Sequence, residues 1–334
     1  MSRNRNGGGN DGGNDGGTTG GGTTTGTRAF NFEASGLTVR ARMDGNISLA
    51  DGGSVRTWWF GNGFSGDRQW GGPIIEGIEG EEMTVTLRSD MPHSIHLHGL
   101  DVDQANDGVP ATSGYVGGGG GMEGFGRVSG YTRLGNSYTY RFIAPHAGTY
   151  QYHCHVDTVL HYDMGMHGTI IIRPRSGSAT EAWDGGPTFA KEYVWQMGTF
   201  DTSWHRLRVS GSSTARYRPN RFMINGRNGA DAQTDTTVAV EANAGEKVLI
   251  RLNQTSYQGA RVELGGLPFE VIAADGHPVP TALNKTSVYI TPGERYDLLV
   301  TMPAAGTTKY ATVSYYDNRG DNVIGTVVTT IKSL

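Results

Sequence analysis

The sequence is poor in cysteine, in long apolar runs and in excess charge of either sign. Its one cysteine among 334 residues excludes an intramolecular disulfide framework, which leaves an inert thiol, a nucleophile or a metal ligand. No window approaches the ~18 consecutive apolar residues of a membrane span, and no apolar segment follows the N-terminus, which predicts a soluble chain without a transmembrane segment or a signal peptide. The 28 basic and 32 acidic side chains give a net charge of −4, which argues against nucleic acid as a partner.

Glycine is abundant instead, at 53 residues, and it is concentrated near the N-terminus. Residues 1–27 are almost wholly Gly, Asn, Asp, Thr, Ser and Arg, so they bury too little apolar surface to offset the entropy of ordering, and we expect a disordered tail. Linkers have this composition, as do tails that follow the cleavage site of exported or lipid-anchored proteins. The tail therefore lends modest support to an extracytoplasmic location, periplasmic or secreted, in which it serves as a tether.

From residue 28 onward, short β-branched and aromatic runs alternate with Gly, Pro, Asn and Asp. Strands at this density, without amphipathic helices between them, predict an all-β chain of antiparallel sandwiches. The predicted strands include Leu37–Met43, Met83–Arg88, Ser137–Phe142, Gly168–Ile172, Tyr193–Met197, Lys247–Leu252, Ser287–Ile290, Tyr296–Thr301 and Thr326–Ile331.

The chain is long enough for two domains of ordinary size, and a boundary is predicted near its midpoint. The segment Arg173–Pro187 is poor in apolar residues and rich in turn-formers. We therefore expect a first domain at 28–175, a linker at 176–187 and a second domain at 188–334. The glycine-rich stretch Gly114–Gly126 lacks the lysine of a phosphate-binding loop, which predicts a lid or a surface insertion.

Seven of the ten histidines lie in two short segments of the first half, together with the only cysteine. Alternate residues of a strand share a face, so the two histidines of each His-x-His pair point together, whereas Cys154 points away from its neighbours. This spacing predicts two sites. One face offers four imidazoles, from His96, His98, His153 and His155. The other offers the thiolate of Cys154, which can be joined by His93, His161 and Met166.

Two imidazoles, one thiolate and a weak axial thioether are the ligands of a blue-copper electron-transfer centre. A structural zinc site prefers more thiolates, and an iron–sulfur cluster needs several cysteines, so copper fits this set best. Met164 lies two residues from Met166 and competes with it for the axial position. His167 directly follows Met166, and we expect it to face away from the metal as a surface histidine.

The motifs HSIHLHG, DGVP, NSYTYRFIAPHAGTYQYHCH and HYDMGMHG resemble those of multicopper oxidases, in particular the laccase-like, two-domain cupredoxin enzymes. The resemblance implies two Greek-key cupredoxin-like β-sandwich domains, copper as the cofactor and Cys154 as an electron conduit. It implies a type 1 (T1) copper whose ligands are His93, Cys154, His161 and Met166. It also implies a second copper site, the trinuclear cluster of the family, at His96, His98, His153 and His155.

The second half also resembles the family, in the segments RFMINGR, FEVIAADGH and ITPGERYD, but it matches a domain that holds no copper. A complete trinuclear cluster in the family uses eight histidines from two facing domains, whereas this second half has only His205 and His277. We expect His277 to be a turn or surface histidine. Because every copy in a homo-oligomer has the same sequence, another polypeptide would have to supply the missing ligands.

Copper nitrite reductases are a related alternative, because their ligand spacing matches His93 and His98. Their catalytic aspartate position is occupied here by His96. The positions of their second-domain histidines fall near Leu267 and Tyr315. Nitrite reduction is therefore the weaker prediction.

The sequence predicts a copper-dependent oxidoreductase in which the T1 copper accepts electrons from a reductant and passes them through the His-Cys-His segment to a histidine-bound copper site. A blue-copper electron carrier that uses the T1 site alone is the rival, and a copper-homeostasis protein is a third alternative. The expected partners are a small-molecule or metal-ion reductant, a protein redox partner and further copies of the chain in a homotrimer. A cationic reductant would be attracted by the nearby acids Asp101, Asp103, Asp107, Asp157 and Asp163.

Overall fold

The computed structural model describes residues 32–50, 52–61, 70–118, 128–206, 217–317 and 322–334. The predicted tail at 1–27 and positions 119–126 of the glycine-rich stretch lie outside these described residues. Within them the regular secondary structure is mostly β-strand, with only a few short helices, so the predicted all-β class is confirmed. No helix of the described part is long and apolar enough to cross a membrane.

The strands of the first half form two sheets around one apolar core. These strands are β1 (Phe32–Ala34), β2 (Thr38–Ser48), β3 (Ser54–Gly61), β4 (Ile74–Ile78), β5 (Glu82–Arg88), β6 (His96–His98), β7 (Ser137–Ile143), β8 (Gly148–His153) and β9 (His167–Arg173). One sheet has the order β1-β4-β9-β8-β6, and the other has the order β3-β2-β5-β7. The core between them includes Val85, Tyr152 and Cys154. These two sheets are the first sandwich.

The second half forms another pair of sheets, the second sandwich. Its strands are β10 (Lys191–Phe200), β11 (Arg221–Ile224), β12 (Val240–Ala242), β13 (Lys247–Gln254), β14 (Ala260–Glu263), β15 (Phe269–Ala274), β16 (His277–Lys285), β17 (Ser287–Ile290), β18 (Arg295–Thr301), β19 (Thr308–Tyr316) and β20 (Val323–Ser333). The sheet orders are β11-β10-β13-β18-β15-β16 and β12-β20-β19-β14-β17. The helices of the described part are short: α1 (Pro110–Ser113), α2 (Thr158–Asp163), α3 (Gly229–Thr234) and a 3-10 turn (Trp204–Arg206).

Burial along the strands follows the side-chain alternation that a sheet imposes. In β5, Met83, Val85 and Leu87 are fully buried, and the residues between them are more exposed. In β9 every residue is buried, because the strand serves two cores. Ile170 packs in the core of the first sandwich, whereas its neighbour Ile171 packs in the core of the second. The sheet that carries the histidine motifs therefore also forms the junction between the sandwiches.

A buried layer of charge crosses this junction. Arg173 of β9 donates to both carboxylate oxygens of Glu192 in β10, at 2.8 and 2.6 Å. Arg251 of β13 donates to Glu192 at 2.6 Å and to Asp297 of β18 at 2.8 Å. Burial raises the pKa of Glu192, but the two guanidinium groups outweigh burial and hold that pKa at about 2. Since an unpaired buried charge is costly, this layer fixes how the sandwiches pack.

Candidate metal centres

Three neighbouring strands bring the histidine motifs together at one border of the first sandwich. β6 pairs with β8 in antiparallel register, so that His96 lies opposite His153 and His98 lies opposite Gln151. On its other edge β8 pairs with β9, where His153 lies opposite His167. Because β6 is the edge strand of this sheet and β8 ends at His153, the two His-x-His motifs meet at the sheet border.

The side chains of His93, Cys154 and His161 form one compact group, the cysteine site. The sulfur of Cys154 lies 3.4 Å from Nδ1 of His93 and 3.2 Å from Nδ1 of His161. The three side chains are buried, and their ligand atoms lie within 4.8 Å of one another. A single transition-metal ion can bridge atoms at these distances, since such ions bond to sulfur at ~2.3 Å and to imidazole nitrogen at ~2.0 Å.

A β-bridge and a short helix orient the imidazoles of the cysteine site. His93 forms a bridge with Val116, whose carbonyl oxygen accepts a hydrogen bond from the His93 amide at 2.8 Å. His161 lies in the last turn of α2, which follows Asp157 in the left-handed conformation at φ 44°. The ring of Trp58 packs edge-on against His161, with centroids 5.0 Å apart.

The surroundings of the two candidate methionines differ. Met166 is fully buried in the same apolar cluster as Cys154, and its carbonyl oxygen accepts a hydrogen bond from the Cys154 amide at 3.0 Å. Met164 belongs to a different cluster, with Leu160 and Trp204. This difference supports Met166 as the axial residue of the cysteine site.

Burial sets the protonation of the cysteine site in the absence of a cation. It raises the pKa of the Cys154 thiol to about 12 and lowers the pKa of His93 to about 3. Burial, followed by the nearby His93 ring, also lowers the pKa of His161. The imidazoles are therefore neutral, as a metal requires, and only a bound cation would favour the thiolate. The donor set and its enclosure fit copper.

His96, His98 and His153 form a second group, the histidine site, with ligand atoms also within 4.8 Å of one another. Nδ1 of His96 lies 2.7 Å from the carbonyl oxygen of Asp107, and Nδ1 of His153 lies 3.0 Å from that of Cys154. A carbonyl only accepts, so each Nδ1 carries the proton and each Nε2 keeps its lone pair for a metal. His98 completes the group, with Nδ1 at 3.3 Å from Nε2 of His153.

The fourth histidine predicted for this face, His155, lies beside the histidine site. Its ring is 6.0 Å from that of His153 and 5.3 Å from that of His96. It is half-buried, and burial lowers its pKa. The structure thus brings three of the four predicted imidazoles within ligand distance of one another and leaves His155 at the rim.

The second sandwich contributes a neighbour that sequence analysis missed, Arg295. Gly99 has φ 83°, and a Cβ there would lie 2.3 Å from Nη2 of Arg295, so only glycine leaves space for the guanidinium. Burial and then the Arg295 charge lower the pKa of the adjacent His98 to about 4. Arg295 lies in the segment ITPGERYD, but nothing in that segment predicts its position beside His98, which depends on how the sandwiches pack.

Two sequence predictions about neighbouring residues are wrong. His167 is not a surface histidine: it is fully buried, with its ring 4.7 Å from that of Trp70 and 5.3 Å from that of Tyr162. The apolar run Ile170–Ile172 that follows His167 was a signal for a strand buried on both faces. The second prediction concerns Asp163, which was expected to help attract a cationic reductant. It is buried and so does not lie at the surface with the other acids.

Asp163 anchors α2 to the second sandwich instead. Its Oδ2 accepts a hydrogen bond from Nε2 of His205 at 3.1 Å, and its Oδ1 accepts one from the hydroxyl of Tyr217. Burial raises the pKa of this carboxyl. Residues of the second half of the chain therefore hold α2, the helix that carries His161, in place.

Comparison with known proteins places these sites in a family. Models of the multicopper oxidase family match residues 43–177 and 198–333, which together make up most of the chain. The chain belongs to the multicopper oxidase family. Membership confirms the predicted resemblance, and copper is the cofactor that it implies.

Relatives and solved structures agree with this membership. Laccase-1 of Botryotinia fuckeliana is 28% identical over 249 residues, which cover 70% of this chain and 38% of that protein. Multicopper oxidase MmcO of Mycobacterium tuberculosis is 26% identical over 300 residues, which cover 81% and 53%. The chain spans only 36–38% of the length of the first curated relatives that it matches.

The fold likeness extends over both sandwiches. A blue copper oxidase from Nitrosomonas europaea superposes with a TM-score of 0.69 at 22% identity, covering 91% of this chain and 86% of that one. Copper nitrite reductase from the same organism superposes with a TM-score of 0.64 at 19% identity, covering 90% and 94%. These likenesses confirm the cupredoxin-like fold.

Proposed function

We propose that this chain is a copper-dependent oxidoreductase with T1 copper in the cysteine site, completed by Met166, and a second copper in the histidine site. One observation carries the proposal: Cys154 belongs to the first site and His153 to the second, so one peptide bond joins the two ligand groups. The hydrogen bond from Nδ1 of His153 to the carbonyl oxygen of Cys154, at 3.0 Å, adds a second connection.

Copper in these sites would supply one-electron chemistry, with a reductant oxidised at the cysteine site and O2 or another oxidant reduced at the histidine site. The chain's own residues do the rest. The buried cysteine site excludes water and holds its ligands in one arrangement. Cys154 is the covalent conduit towards His153. Hydrogen bonds at Nδ1 of His96 and of His153 orient both rings towards the histidine site.

The number of converging imidazoles supports one copper beyond T1. Three histidines make a complete mononuclear ligand set, whereas the family's trinuclear cluster takes eight. Neither His205 nor His277 of the second sandwich belongs to the histidine site: His205 contacts Asp163, and His277 is exposed at the start of β16. A full cluster would need another polypeptide, so oxidase activity of the chain alone is weak or depends on a partner.

A bleaching and reoxidation experiment tests this function. A small-molecule reductant should bleach the blue band of the copper-loaded protein without air, and O2 should then restore the colour with measurable oxygen uptake. His96→Ala combined with His98→Ala should still bleach but should not recolour or consume oxygen. The exposed variant Lys285→Ala should behave as the wild type. Equal recolouring of wild type and double variant would contradict the proposal.

The rival is a blue-copper electron carrier that uses the T1 site alone. The observation in its favour is that the cysteine site draws all of its ligands from one sandwich. Reversible redox cycling without oxygen uptake by any donor would favour the carrier. Nitrite reduction is a weaker candidate, because His96 occupies the position of the nitrite reductases' catalytic aspartate. Copper homeostasis is a further, weaker candidate.

The surroundings of the sites belong to the same proposal. The reductant is a small molecule or a metal ion, with a protein redox partner as an alternative.

The chain associates as a homotrimer in which the histidine site, half-exposed at a sheet edge, lies against the next copy. It acts in the periplasm or outside the cell, with the N-terminal tail as a tether. Sedimentation showing a monomer at micromolar concentration would contradict the trimer.

A further inference from the structure

A cleft lies on the first sandwich where β2, the end of β5 and the start of β7 meet. It encloses about 660 Å³, and its lining includes Arg40, Arg42 and Asp44 of β2, Arg88 of β5 and Ser137 of β7. Pockets that bind small molecules ordinarily enclose about 300–1,000 Å³, so the cleft has the size of a ligand site. It shares no residue with the cysteine site or the histidine site.

The register of the sheet places three polar side chains of this cleft in one row. Arg40 lies opposite Arg88 across β2 and β5, and Arg88 lies opposite Ser137 across β5 and β7. Residues opposite each other in neighbouring strands share a face and lie ~5 Å apart. The preceding residues Val39 and Leu87 are fully buried, so the row faces away from the core. The two arginines therefore bring adjacent positive charges to the cleft.

Neither arginine of this row forms an ion pair with any described residue. Two other arginines of the same sheet do have acidic partners. Arg42 donates to both carboxylate oxygens of Asp44, at 3.0 and 2.5 Å, and Arg141 lies 3.3 Å from Glu82. Like charges directly opposite each other destabilise a sheet, and a bound anion would offset that repulsion.

Two neutral donors and one acid also border the row. Arg133 donates to Oδ1 of Asn136. Because a guanidinium group only donates, this contact fixes Oδ1 as the amide oxygen and leaves Nδ2 of Asn136 as a donor. The hydroxyl of Ser137 is a second donor at the end of the row. Asp90 is exposed and forms no ion pair with any described residue, so it does not neutralise the arginines.

We propose that this cleft binds a small molecule through a doubly charged tetrahedral oxyanion, phosphate or sulfate, whose oxygens accept hydrogen bonds from Arg40 and Arg88. The planar fork of a guanidinium group matches the oxygens of such anions, and two uncompensated positive charges match two negative ones. A free anion and the charged group of an organic molecule share this chemistry. The volume of the cleft leaves room for the organic part. The site is independent of the proposed function.

Calorimetric titration of the copper-loaded full chain tests the site, with inorganic phosphate, sulfate and phenyl phosphate at constant ionic strength. Above about pH 7 phosphate is largely doubly charged, and wild type should bind one anion per chain. Arg40→Ala and Arg88→Ala should each weaken binding about 10–100-fold, because each removes charge-assisted hydrogen bonds. Arg141→Ala, an exposed and paired arginine of the same sheet, is the matched control and should keep the affinity.

Two further comparisons identify the ligand and exclude copper as its binding group. Tighter binding of phenyl phosphate than of inorganic phosphate would support an organic ligand, and equal affinity would support the free anion. The variant His96→Ala with His98→Ala, which lacks the ligands of the histidine site, should still bind the anion.

Urea unfolding provides a second measurement, because an anion that binds only the folded state stabilises it. Phosphate should raise the urea midpoint of wild type more than that of Arg40→Ala, and Asp90→Asn should bind phosphate more tightly because it removes a nearby negative charge. No binding by wild type, or equal binding by wild type and both arginine variants, would overturn the proposal.

Discussion

The cysteine site and the histidine site are joined by one peptide bond, yet they are enclosed differently. No ligand of the cysteine site is more than 5% exposed. In the histidine site only His153 is buried, whereas His96 and His98 are half-buried on an edge strand. A sealed site can change oxidation state without changing its ligands, and an open site can accept a further ligand. In the function we propose, this difference in enclosure would separate electron entry at the cysteine site from the chemistry of the oxidant at the histidine site.

The supports of the two sites differ as well. The helix of the cysteine site is anchored by Asp163 to His205 and Tyr217 of the second sandwich. The histidine site instead has a cation, Arg295, against His98. The second sandwich thus stabilises the cysteine site and lies beside the histidine site, but it adds a ligand to neither. A domain without recognisable copper ligands still determines the environment of both.

The largest expected effect is the loss of the copper absorption of one site while the other site keeps its metal. Cys154→Ser should abolish the blue thiolate-to-copper absorption, because no other thiol exists in the chain, while the histidine site keeps its copper. Absorption spectra together with copper analysis check this outcome. A variant that stays blue would refute the cysteine site.

The opposite change should leave the blue site intact. His96→Ala with His98→Ala should remove one copper per chain and abolish turnover, with the blue band unchanged. His155→Ala is the matched comparison: because the ligand atoms of His155 are not among those that lie within 4.8 Å of one another, this variant should retain that copper. Loss of copper from His155→Ala alone would mean that the site is built around four histidines.

Breaking the charge layer should weaken the junction on which both sites depend. Glu192→Gln removes the buried carboxylate that Arg173 and Arg251 share and leaves each arginine with one carboxylate, Glu76 or Asp297, so the free energy of unfolding should fall by up to about 3–5 kcal/mol. Glu241→Gln removes the partner of Lys332 in an exposed pair and should cost ~0–1 kcal/mol. Urea unfolding measures both. Equal costs would show that the junction is not held by charge.

Acid should destabilise the metal-free protein through its buried imidazoles. Burial lowers the pKa of His93 to about 3 and of His98 to about 4, from 6.5 in the unfolded chain. Below pH 6.5 the unfolded state therefore binds more protons than the folded state, and stability falls as pH drops from about 6.5 towards 4. The urea midpoint should decline across this range at least as steeply with copper as without it, because bound copper keeps these ligands unprotonated in the folded state. A midpoint independent of pH would contradict neutral buried imidazoles.

The smallest effect concerns the axial position of the cysteine site. Met166→Leu should keep the blue colour and shift the reduction potential, because the axial ligand tunes the metal rather than holding it. Met164→Leu, in a separate apolar cluster, should leave the potential unchanged. Redox titration of both variants compares them. A shift in Met164→Leu alone would reverse the assignment.

The features that depend on local spacing were predictable from the sequence. Strand alternation agrees with the grouping of His96, His98 and His153 apart from Cys154, although His155 is outside that group, and β5 matches the predicted Met83–Arg88 within one residue. The burial of Asp163 and the position of Arg295 were not predictable. Each of them is set by packing between sandwiches, where residues more than 40 positions apart in the chain meet, as in Asp163 with His205. No single segment records such contacts.

The most direct measurement is the number of coppers per chain in the fully loaded protein, taken together with the mass of the assembly. Three converging imidazoles beside one thiolate site predict two coppers per chain, one blue and one without the blue band. One copper per chain, with reversible redox behaviour and no oxygen uptake with any donor, would contradict the account and identify an electron carrier.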